Sequence, residues 1–427
     1  MEMLDLIKNP NYEDWGIIET SSEKKIAWRN NSEVYKVYKI PVDILKYNSS
    51  NGRIYIETRR FKTEQGVDIN VLKEDDPEAY NDEIEKLIWS TAEERNKATK
   101  IDIEKYGQME PGVVLGDGTI IDGNRRFTCI RRLHREHPSD NQFNYFLAAI
   151  IQADGKNVTN KMLKEYELRV QFGADEKVSY NVINMNMSIY DLINNNKDDF
   201  DYATVSELIN RSASDIIKIC RTCKLVDEFC DYIGKSGQYQ IAEEMKIYWP
   251  LEALANHISS ECKDMSELEK NKRKHIYFDY LLTLDVELIT QNLRDNLIKK
   301  VFKNNEDTNE LIKIHNEIIG NDIQRVIEQA EDVEEFCTLI NELRNSDKAV
   351  ADKEEYEEIV NKHTNVIQLD LQNKLCKSAY KSLCDINLEP LINANTEIAN
   401  NKLNEIKEKL ESISKVTEGL IKKIEEK

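Results

Sequence analysis

The stretch from Gly112 to Leu133 constrains the fold of this chain most strongly, because its hydrophobic pattern changes period along the way. Val113-Val114-Leu115 and Thr119-Ile120-Ile121 are short runs of apolar or β-branched residues, which favour strands. Gly116-Asp117-Gly118 lies between the two runs and has the composition of a tight hairpin turn. The first half of the stretch therefore predicts a β-hairpin.

The second half of the stretch has the period of a helix. A second turn, Asp122-Gly123, closes the hairpin, and apolar residues then recur at helical spacing at Phe127, Ile130 and Leu133. Arg125 and Arg126 fall in the first turn of this predicted helix. The N–H groups and the positive dipole end of a helix start favour an anion, and arginine adds charge-assisted hydrogen bonds. The pattern predicts a phosphate-binding turn between a buried strand and a helix.

The same residues allow plainer interpretations. A strand–turn–helix corner also forms when its arginines face solvent or pair with acids such as Glu136. Asp122 is a candidate magnesium ligand or base, but aspartate before glycine is also a common turn residue. A basic cluster further along has three possible interpretations. It extends the anion site, it faces DNA, or it lies at a solvated helix end, where the helix dipole stabilises cations. The members of that cluster are Arg131, Arg132, His134, Arg135 and His137.

Composition restricts the classes of function. The chain has only 7 Pro and 14 Gly in 427 residues, so much helix and few loops are expected. A formal net charge of −20 excludes a surface that grips nucleic acid throughout, although a local DNA-contacting patch is allowed. The charge also disfavours an anionic membrane surface. With 8 scattered Cys, no secretion signal at the start and no apolar run near the roughly 18 residues of a membrane span, we predict a cytoplasmic protein with reduced thiols.

Residues 1–175 are predicted to form one compact α+β domain. Val34–Ile40 alternates imperfectly in the manner of a strand, and Arg53–Ile56, after a turn, is interpreted as a further sheet segment. Residues 71–83 are acidic and turn-like, which predicts an exposed loop. Tyr166–Phe172 is predicted to be a strand near the end of the domain.

The region from residue 176 to residue 235 is predicted to be a helix-turn-helix-like domain. Thr204–Glu207 and Ser212–Asp215 each fit a capping box, in which an acceptor at the cap is followed three residues later by an acid. Cys220 and Cys223 have CxxC spacing, but no second pair follows, so core packing is predicted. The second helix offers candidate contacts to phosphates or base edges, with packing or dimerisation as the alternative. These candidates are Arg211, Ser214, Lys218, Arg221 and Lys224.

The rest of the chain also has helical spacing. Residues 236–345 are predicted to form a domain of packed helices, and residues 346–427 a helical, coiled-coil-like region. The charged interval Asn345–Glu358 is a candidate hinge. From Asn387 to Lys427 apolar residues recur at three- and four-residue spacing, which predicts an amphipathic helix, or two, with a narrow seam. That seam suits a homodimer or a partner protein.

Several segments, in the same order, resemble the ParB/sulfiredoxin superfamily. Ile40–Leu45 together with Asn51–Ile54 resembles the first strand and loop of ParB amino-terminal domains. Gly107–Val114 resembles the strand that precedes the family signature, and Asp122–Arg126, with the sequence DGNRR, resembles the signature turn itself. Thr204–Ile233 resembles the helix-turn-helix that follows. The resemblance covers a little over half of the chain, and it implies a ParB-like amino-terminal domain followed by a predominantly α-helical middle and carboxy-terminal region.

The resemblance also implies a nucleotide site. ParB proteins are nucleotide-operated DNA clamps that bind CTP, and their signature helix holds the triphosphate. It implies CTP or ATP as the ligand here, with Mg²⁺. By position, phosphate contacts would come from Gly123, Asn124, Arg125 and Arg126, with Gln108 and Arg53 near the nucleotide.

Two departures from the family bear on activity. The family usually has Glu where this chain has Asn124, and a neutral amide is a poor base and a weaker magnesium ligand. Nucleotide binding is therefore expected, whereas hydrolysis is in doubt. Sulfiredoxins place a catalytic cysteine in the corresponding turn, but the nearest thiol here, Cys129, lies further into the predicted helix. Sulfinic-acid reduction is therefore not expected.

Three functions remain as hypotheses. The first is a nucleotide-regulated DNA-binding or DNA-associated assembly factor, in a mobile-element or phage-defence setting. The second is an enzyme with the same pocket, either a nuclease, a phosphotransferase or a weak nucleoside triphosphatase, with Asp122 as its catalytic acid. The third is a non-catalytic regulator that engages a protein partner through its acidic helical half.

Overall fold

The computed structural model describes residues 3–28, 31–152, 158–172, 182–284, 289–394 and 396–426, and for 290 and 363–374 it describes the backbone alone. The chain divides into two compact units, Met1–Ile359 and Val360–Lys427. The first unit contains the sheet and most of the helices. The finer domain boundaries predicted near residues 175, 235 and 345 stay predictions.

The sheet of the first unit is mixed. Its strands in the described residues are β1 (Ile18–Ala27), β2 (Ser32–Pro41), β3 (Gly112–Leu115), β4 (Ile120–Asp122) and β5 (Tyr145–Ile151). Their order across the sheet is β1-β2-β5-β3-β4. β3 runs parallel to β5, and the other neighbours are antiparallel. The predicted hairpin is thus confirmed as β3 and β4, and the predicted alternating strand as β2.

Helices are interspersed with these strands along the chain. They are α1 (Tyr55–Gln65), α2 (Ile69–Asp75), α3 (Pro77–Thr91), α4 (Glu93–Tyr106), α5 (Asn124–Glu136) and α6 (Asn160–Phe172). α5 is the helix predicted after the Asp122-Gly123 turn. The α+β character of this part of the chain is therefore confirmed.

Three local predictions in this region were wrong. Arg53–Ile56 forms a 3-10 turn and the start of α1 instead of a sheet segment. Residues 71–83 lie mostly in α2 and α3, where Pro77 occupies the first turn and Asp76 caps it by accepting a hydrogen bond from the Ala79 N–H at 3.1 Å. An acid before a proline therefore starts a helix here instead of marking a loop. Tyr166–Phe172 belongs to α6, not to a strand.

The sheet has a hydrophobic core on each face. In the first core, α5 contributes the predicted apolar side chains Phe127, Ile130 and Leu133, all buried. In the second core, α6 contributes Leu163 and Tyr166. Neighbouring residues along β3 and β5 divide between the two cores, as the two-residue period of a strand requires. The sheet therefore lies between α5 and α6.

The remainder of the first unit is helical in the described residues. The helices are α7 (Val182–Asn195), α8 (Tyr202–Ile209), α9 (Ala213–Tyr232), α10 (Gln240–Glu244), α11 (Tyr248–Ser260), α12 (Glu267–Thr283), α13 (Ile289–Gln291), α14 (Asn305–His315), α15 (Asn321–Gln329), α16 (Val333–Arg344) and the first part of α17 (Asp347–Cys384). Asn292–Ile298 continues α13 as a π-helix. The predicted hinge at 345–358 was wrong, because α17 runs through most of it with Ala349 and Tyr356 buried.

The helix pair α8–α9 has the predicted form, with one boundary shifted. Ser212 caps α9 by accepting a hydrogen bond from the Asp215 N–H at 3.1 Å, and its hydroxyl donates to the Asp215 carboxylate at 2.6 Å. The cap of α8 is Asp201, which accepts from the Thr204 N–H at 2.7 Å, so the box proposed at Thr204 was wrong by three residues. Cys220 and Cys223 are buried within α9, as core packing requires.

The second unit contains the end of α17, then α18 (Glu389–Ala394) and α19 (Glu397–Glu425). The amphipathic helices predicted for the tail are thus present. Along α19 the apolar side chains of Ile413, Val416, Leu420 and Ile424 are exposed. In the part of the chain that the structure describes, no helix is long and apolar enough to cross a membrane.

Candidate functional site

The predicted phosphate-binding turn connects β4 directly to α5. Gly123 precedes the helix with φ +101°, in the left-handed region that side chains other than glycine rarely adopt. A Cβ atom at Gly123 would lie 2.9 Å from Phe146 Cζ, so the position also lacks space for one. No side chain caps the first turn of α5 in the described structure, and that turn carries no acid. The backbone N–H groups of this turn can therefore bind an anion, whereas in a capped helix a side chain already accepts one of these hydrogen bonds.

Asp122 is engaged in an ion-paired cluster. Its Oδ1 accepts a hydrogen bond from Arg126 Nη2 at 3.2 Å, and its Oδ2 lies 3.4 Å from Lys24 Nζ. Lys24 also donates to the Pro111 carbonyl at 2.7 Å, which fixes β1 against the start of β3. Burial raises the pKa of the adjacent Tyr166, and the negative charge of Asp122 raises it further. The carboxylate thus positions Arg126, and this arrangement does not favour Asp122 as a catalytic acid.

Asn124 faces the protein interior. Only 4% of its surface is exposed, and its Nδ2 donates to the Ile120 carbonyl at 3.2 Å. Its Oδ1 accepts from the Asn48 N–H at 3.5 Å, which ties the start of α5 to the loop before α1. Arg53 lies on that same loop, in the 3-10 turn Gly52–Ile54. The structure therefore brings the Gly123–Arg126 turn next to the loop that carries Arg53.

α6 covers the loop with polar side chains that the sequence did not single out. Glu167 is 4% exposed and accepts a hydrogen bond from Asn48 Nδ2 at 2.9 Å. Gln171 accepts from the Gly52 N–H at 3.1 Å and donates to Glu167 at 2.9 Å. Lys164 donates to Glu167 at 3.0 Å. A buried carboxylate with three donors thus anchors the loop beside the turn.

Gln108 serves the sheet. Its Nε2 donates to the Leu147 carbonyl at 2.8 Å, and its Oε1 accepts from the Leu147 N–H at 2.7 Å. The amide therefore completes backbone pairing on β5 just before β3 begins at Gly112. Gln108 also lines a cavity with Lys39 and Tyr145. No residue of the Gly123–Arg126 turn is among the described residues that line this cavity. The structure does not bring Gln108 to the predicted phosphate turn.

The other candidates on α5 have structural roles. The Arg131 and Arg132 guanidinium groups each donate to the buried carboxylate of Glu85 on α3 at 2.9 Å, and Arg135 donates to it as well. Arg132 also lies over the Trp89 ring, 3.7 Å from its centroid. The three arginines are thus paired with Glu85 and fasten α5 to α3, while Arg135 and His137 at the end of the helix are exposed. Burial raises the pKa of the Cys129 thiol to about 12, so this cysteine is not a thiolate nucleophile.

The residues predicted to contact DNA at α9 differ in solvent exposure and in ion pairing. Lys218 is ion-paired to Glu252 of α11 at 2.8 Å, and Lys224 lies 3.7 Å from Glu228 on its own helix. The Ser214 hydroxyl hydrogen-bonds the Ser212 hydroxyl at 2.7 Å, next to the exposed Arg211. Arg221 is exposed and lines a cavity with Lys224. These residues do not form one uniform cationic face.

The most important residues that sequence reasoning missed are Lys24 and Glu167. Both act through contacts with residues about a hundred positions away in the chain, at Asp122 and at Asn48. A single sequence contains no local signal for such pairs. The one hint in the sequence was the presence of Glu167 and Gln171 within Tyr166–Phe172.

Comparisons with known proteins give partial matches among solved structures. No protein-family model matches the chain, and no curated protein does. Among solved structures, the chain is similar to the C-terminally truncated chromosome-partitioning protein ParB from Caulobacter crescentus. The structure complexed to the centromeric parS site matches with a TM-score of 0.28 and 14% identity, over 48% of this chain and 88% of that one. The structure complexed with CTP-γ-S matches with a TM-score of 0.18 and 13% identity, over 52% and 92%.

The TM-scores of these matches are too low for a residue-by-residue comparison. No residue role and no ligand of ParB is therefore assigned to this chain from them. The fold and the site by themselves define a class of protein. It has an α+β domain in which a glycine and two arginines connect a strand to a helix, followed by a helical region that contains a pair of capped helices.

Proposed function

We propose that this chain binds a nucleoside triphosphate at the start of α5 and that the nucleotide regulates its assembly on DNA. The observation that carries the proposal is the turn itself. A glycine with positive φ delivers the chain into a helix whose first turn has no capping side chain and no acid, but has Arg125 and Arg126. In a chain of net charge −20, such a concentration of N–H groups and guanidinium groups favours a phosphate ligand.

The neighbouring loop supports the same assignment. Asn124 and Asn48 connect it to the turn, and the loop carries Arg53. Both elements occur in the order that the ParB-like segments of the sequence lead one to expect. The ligand class is CTP or ATP, with the base identity left to experiment.

Binding without rapid hydrolysis is the expected mode. Asn124 is buried, its amide group is not basic, and its Oδ1 accepts a hydrogen bond from the Asn48 N–H, so it serves neither as a base nor as a metal ligand. Asp122 has Arg126 and Lys24 on its two oxygens, which does not fit a dedicated magnesium site. Magnesium would therefore arrive with the phosphates of the nucleotide.

The DNA-contacting part of the proposal concerns the N-terminal turn of α9. In helix-turn-helix proteins the first residues of the second helix reach base edges and phosphates. Here Arg211 lies just before the Ser212 cap of α9, Ser214 lies in the first turn of the helix, and Lys218 lies in the second. The exposed apolar residues of α19 suit a second copy of the chain.

Calorimetric titration of the full chain with CTP, ATP and GTP in magnesium tests the nucleotide site. We expect one of the three to bind the native protein. The variant with Arg125→Ala and Arg126→Ala should bind it about a hundredfold or more weakly, because each charge-assisted hydrogen bond contributes about 1.5–3 kcal/mol.

The matched control removes two exposed arginines elsewhere, with Arg294→Ala and Arg325→Ala, and should bind as the native chain does. Circular dichroism and urea unfolding establish that both variants are folded. The proposal fails if the native protein binds none of the three nucleotides, or if the Arg125/Arg126 variant binds with native affinity.

A further inference from the structure

A large cavity lies among α1, α7 and α9, at a place that the nucleotide proposal does not use. Its volume is about 920 Å³, within the range of about 300–1,000 Å³ typical of small-molecule sites. No residue of the Gly123–Arg126 turn is among the described residues that line it. The cavity is therefore a separate feature of the first unit.

Two tyrosine rings stack on each other in the lining of this cavity. Tyr55 of α1 and Tyr239 lie with their ring planes 13° apart and their centroids 6.5 Å apart. The Tyr239 hydroxyl donates to Asp227 of α9 at 2.7 Å, and the Arg59 guanidinium lies 5.3 Å from the centre of the Tyr55 ring. Both rings are thus held in place, and planar heterocycles stack well on tyrosine faces.

The charge around the rings favours an anion. The lining includes four cations, Arg59, Lys197, Arg221 and Lys224, and two carboxylates, Asp191 and Asp227.

Both carboxylates are occupied within the protein. Asp191 accepts from Arg59 at 3.1 Å and from Asn195 at 2.8 Å, and Asp227 accepts from Tyr239. Lys197 and Arg221, by contrast, make no hydrogen bond or ion pair with any described residue. The cavity is therefore a local positive site on an acidic chain.

We propose that this cavity binds a nucleotide, with its planar ring against the stacked Tyr55–Tyr239 pair and its phosphate at Lys197 and Arg221. The ligand is a nucleoside phosphate and the site is distinct from the turn before α5, so the proposal goes beyond nucleotide binding at that turn. A duplex is a poorer occupant, because reading its major groove requires a protruding helix, whereas Arg221 of α9 lies in a recess that α1 and α7 also line.

Calorimetric titration of the full chain with AMP, CMP, GMP and UMP tests the site, with the corresponding nucleosides and inorganic phosphate as partial ligands. We expect at least one monophosphate to bind, and each of its two fragments to bind at least tenfold more weakly. The variant with Lys197→Ala and Arg221→Ala should lose about tenfold or more in affinity. Both side chains are exposed and unpaired in the described structure, so this variant is expected to fold.

Three further variants locate the binding. Tyr239→Leu should weaken the monophosphate by removing one ring. The control with Lys263→Ala and Arg294→Ala, which removes one exposed lysine and one exposed arginine, should bind as the native chain does. The Arg125→Ala and Arg126→Ala variant should also retain monophosphate binding, which separates this site from the triphosphate site before α5.

Four results would overturn the proposal. The first is that no monophosphate binds the native chain, and the second is unchanged affinity in the Lys197/Arg221 variant. The third is that binding disappears in the Arg125/Arg126 variant, which would assign it to the turn before α5. The fourth is that a single-stranded DNA octamer binds at the cavity while no monophosphate does, which would make the occupant a nucleic-acid strand.

Discussion

At the scale of single residues, Asn124 shows how a position in a ligand-binding turn can be occupied by a structural side chain. Its carbonyl and amide groups connect the Asn48 loop to the Ile120 carbonyl at the start of β4. The side chain thus fixes the geometry of the turn from the interior, while the backbone N–H groups of α5 and the two arginines remain as the elements that suit a phosphate. Binding and scaffolding are divided between neighbouring residues.

Replacing this amide by a carboxylate is expected to destabilise the domain. Asn124→Asp would remove the hydrogen-bond donor to the Ile120 carbonyl and bury a negative charge at a site that is 4% exposed. A helix start favours a negative charge by about 0.3–1 kcal/mol, but an unsatisfied buried carbonyl costs about 1–3 kcal/mol. We expect the free energy of unfolding to fall by about 1–2 kcal/mol at pH 7.

Urea unfolding monitored by circular dichroism measures this change. The control is Asn256→Asp on the exposed side of α11, which should alter the free energy of unfolding by less than about 0.5 kcal/mol. Native or higher stability in Asn124→Asp would show that the dipole and the nearby arginines dominate, contrary to this interpretation.

At the scale of secondary-structure elements, the sequence predicted strongly periodic segments well and mixed segments poorly. The β3–β4 hairpin, α5 and the cap of α9 all carry a local signal, namely a glycine turn, three spaced apolar residues and a serine cap. Tyr166–Phe172 alternates as a strand does, and a short window cannot show that α6 is buried on nearly every side. Glu167 and Gln171 of α6 are buried because the distant loop from Asn48 to Gly52 supplies hydrogen-bond partners for both.

A buried histidine that links three helices makes stability depend on pH. His315 of α14 lies with its Nδ1 3.0 Å from Asp352 of α17 and its Nε2 3.5 Å from Asp279 of α12. Burial alone would lower the pKa of His315, but the hydrogen bonds and charges of the two aspartates outweigh it and raise the pKa from 6.5 to about 9. The folded state thus binds this proton more tightly than the unfolded chain does.

The resulting contribution is fully present below the unfolded pKa of about 6.5 and is lost as pH rises through about 9. His315→Gln cannot carry the charge, so the difference in unfolding free energy between the native chain and this variant should be largest near pH 6. It should shrink by an amount on the order of 3 kcal/mol by pH 10. Urea unfolding of both proteins from pH 6 to pH 10 measures the difference. A difference that is constant across this range would mean that His315 is neutral in the folded state.

At the scale of the whole molecule, the net charge of −20 limits how the chain can meet DNA. Both partners are anionic, so any contact must be local and must rest on the few cations of one surface. In the N-terminal half of α9, Lys218 is ion-paired to Glu252. Arg211, just before the helix, is exposed beside the Ser212 cap. Such a surface provides few phosphate contacts. It would therefore depend on regulation, by nucleotide or by a second copy, to hold DNA for long.

Duplex binding should accordingly be weak and strongly dependent on salt. Each neutralised phosphate contributes about −0.9 to the slope of log K against log salt, so removing two contacts should make the slope shallower by roughly 2. We expect that change, with weaker binding to every duplex sequence, for Arg211→Ala combined with Lys218→Ala. Arg294→Ala combined with Lys299→Ala removes the same two residue types from an exposed ion-paired site and should change neither quantity. Fluorescence anisotropy with labelled duplexes from 50 to 200 mM salt, with and without the nucleotide that binds, provides both measurements. If the two double variants have the same slope as the native chain, α9 is not the surface that contacts DNA, and the helix pair serves packing instead.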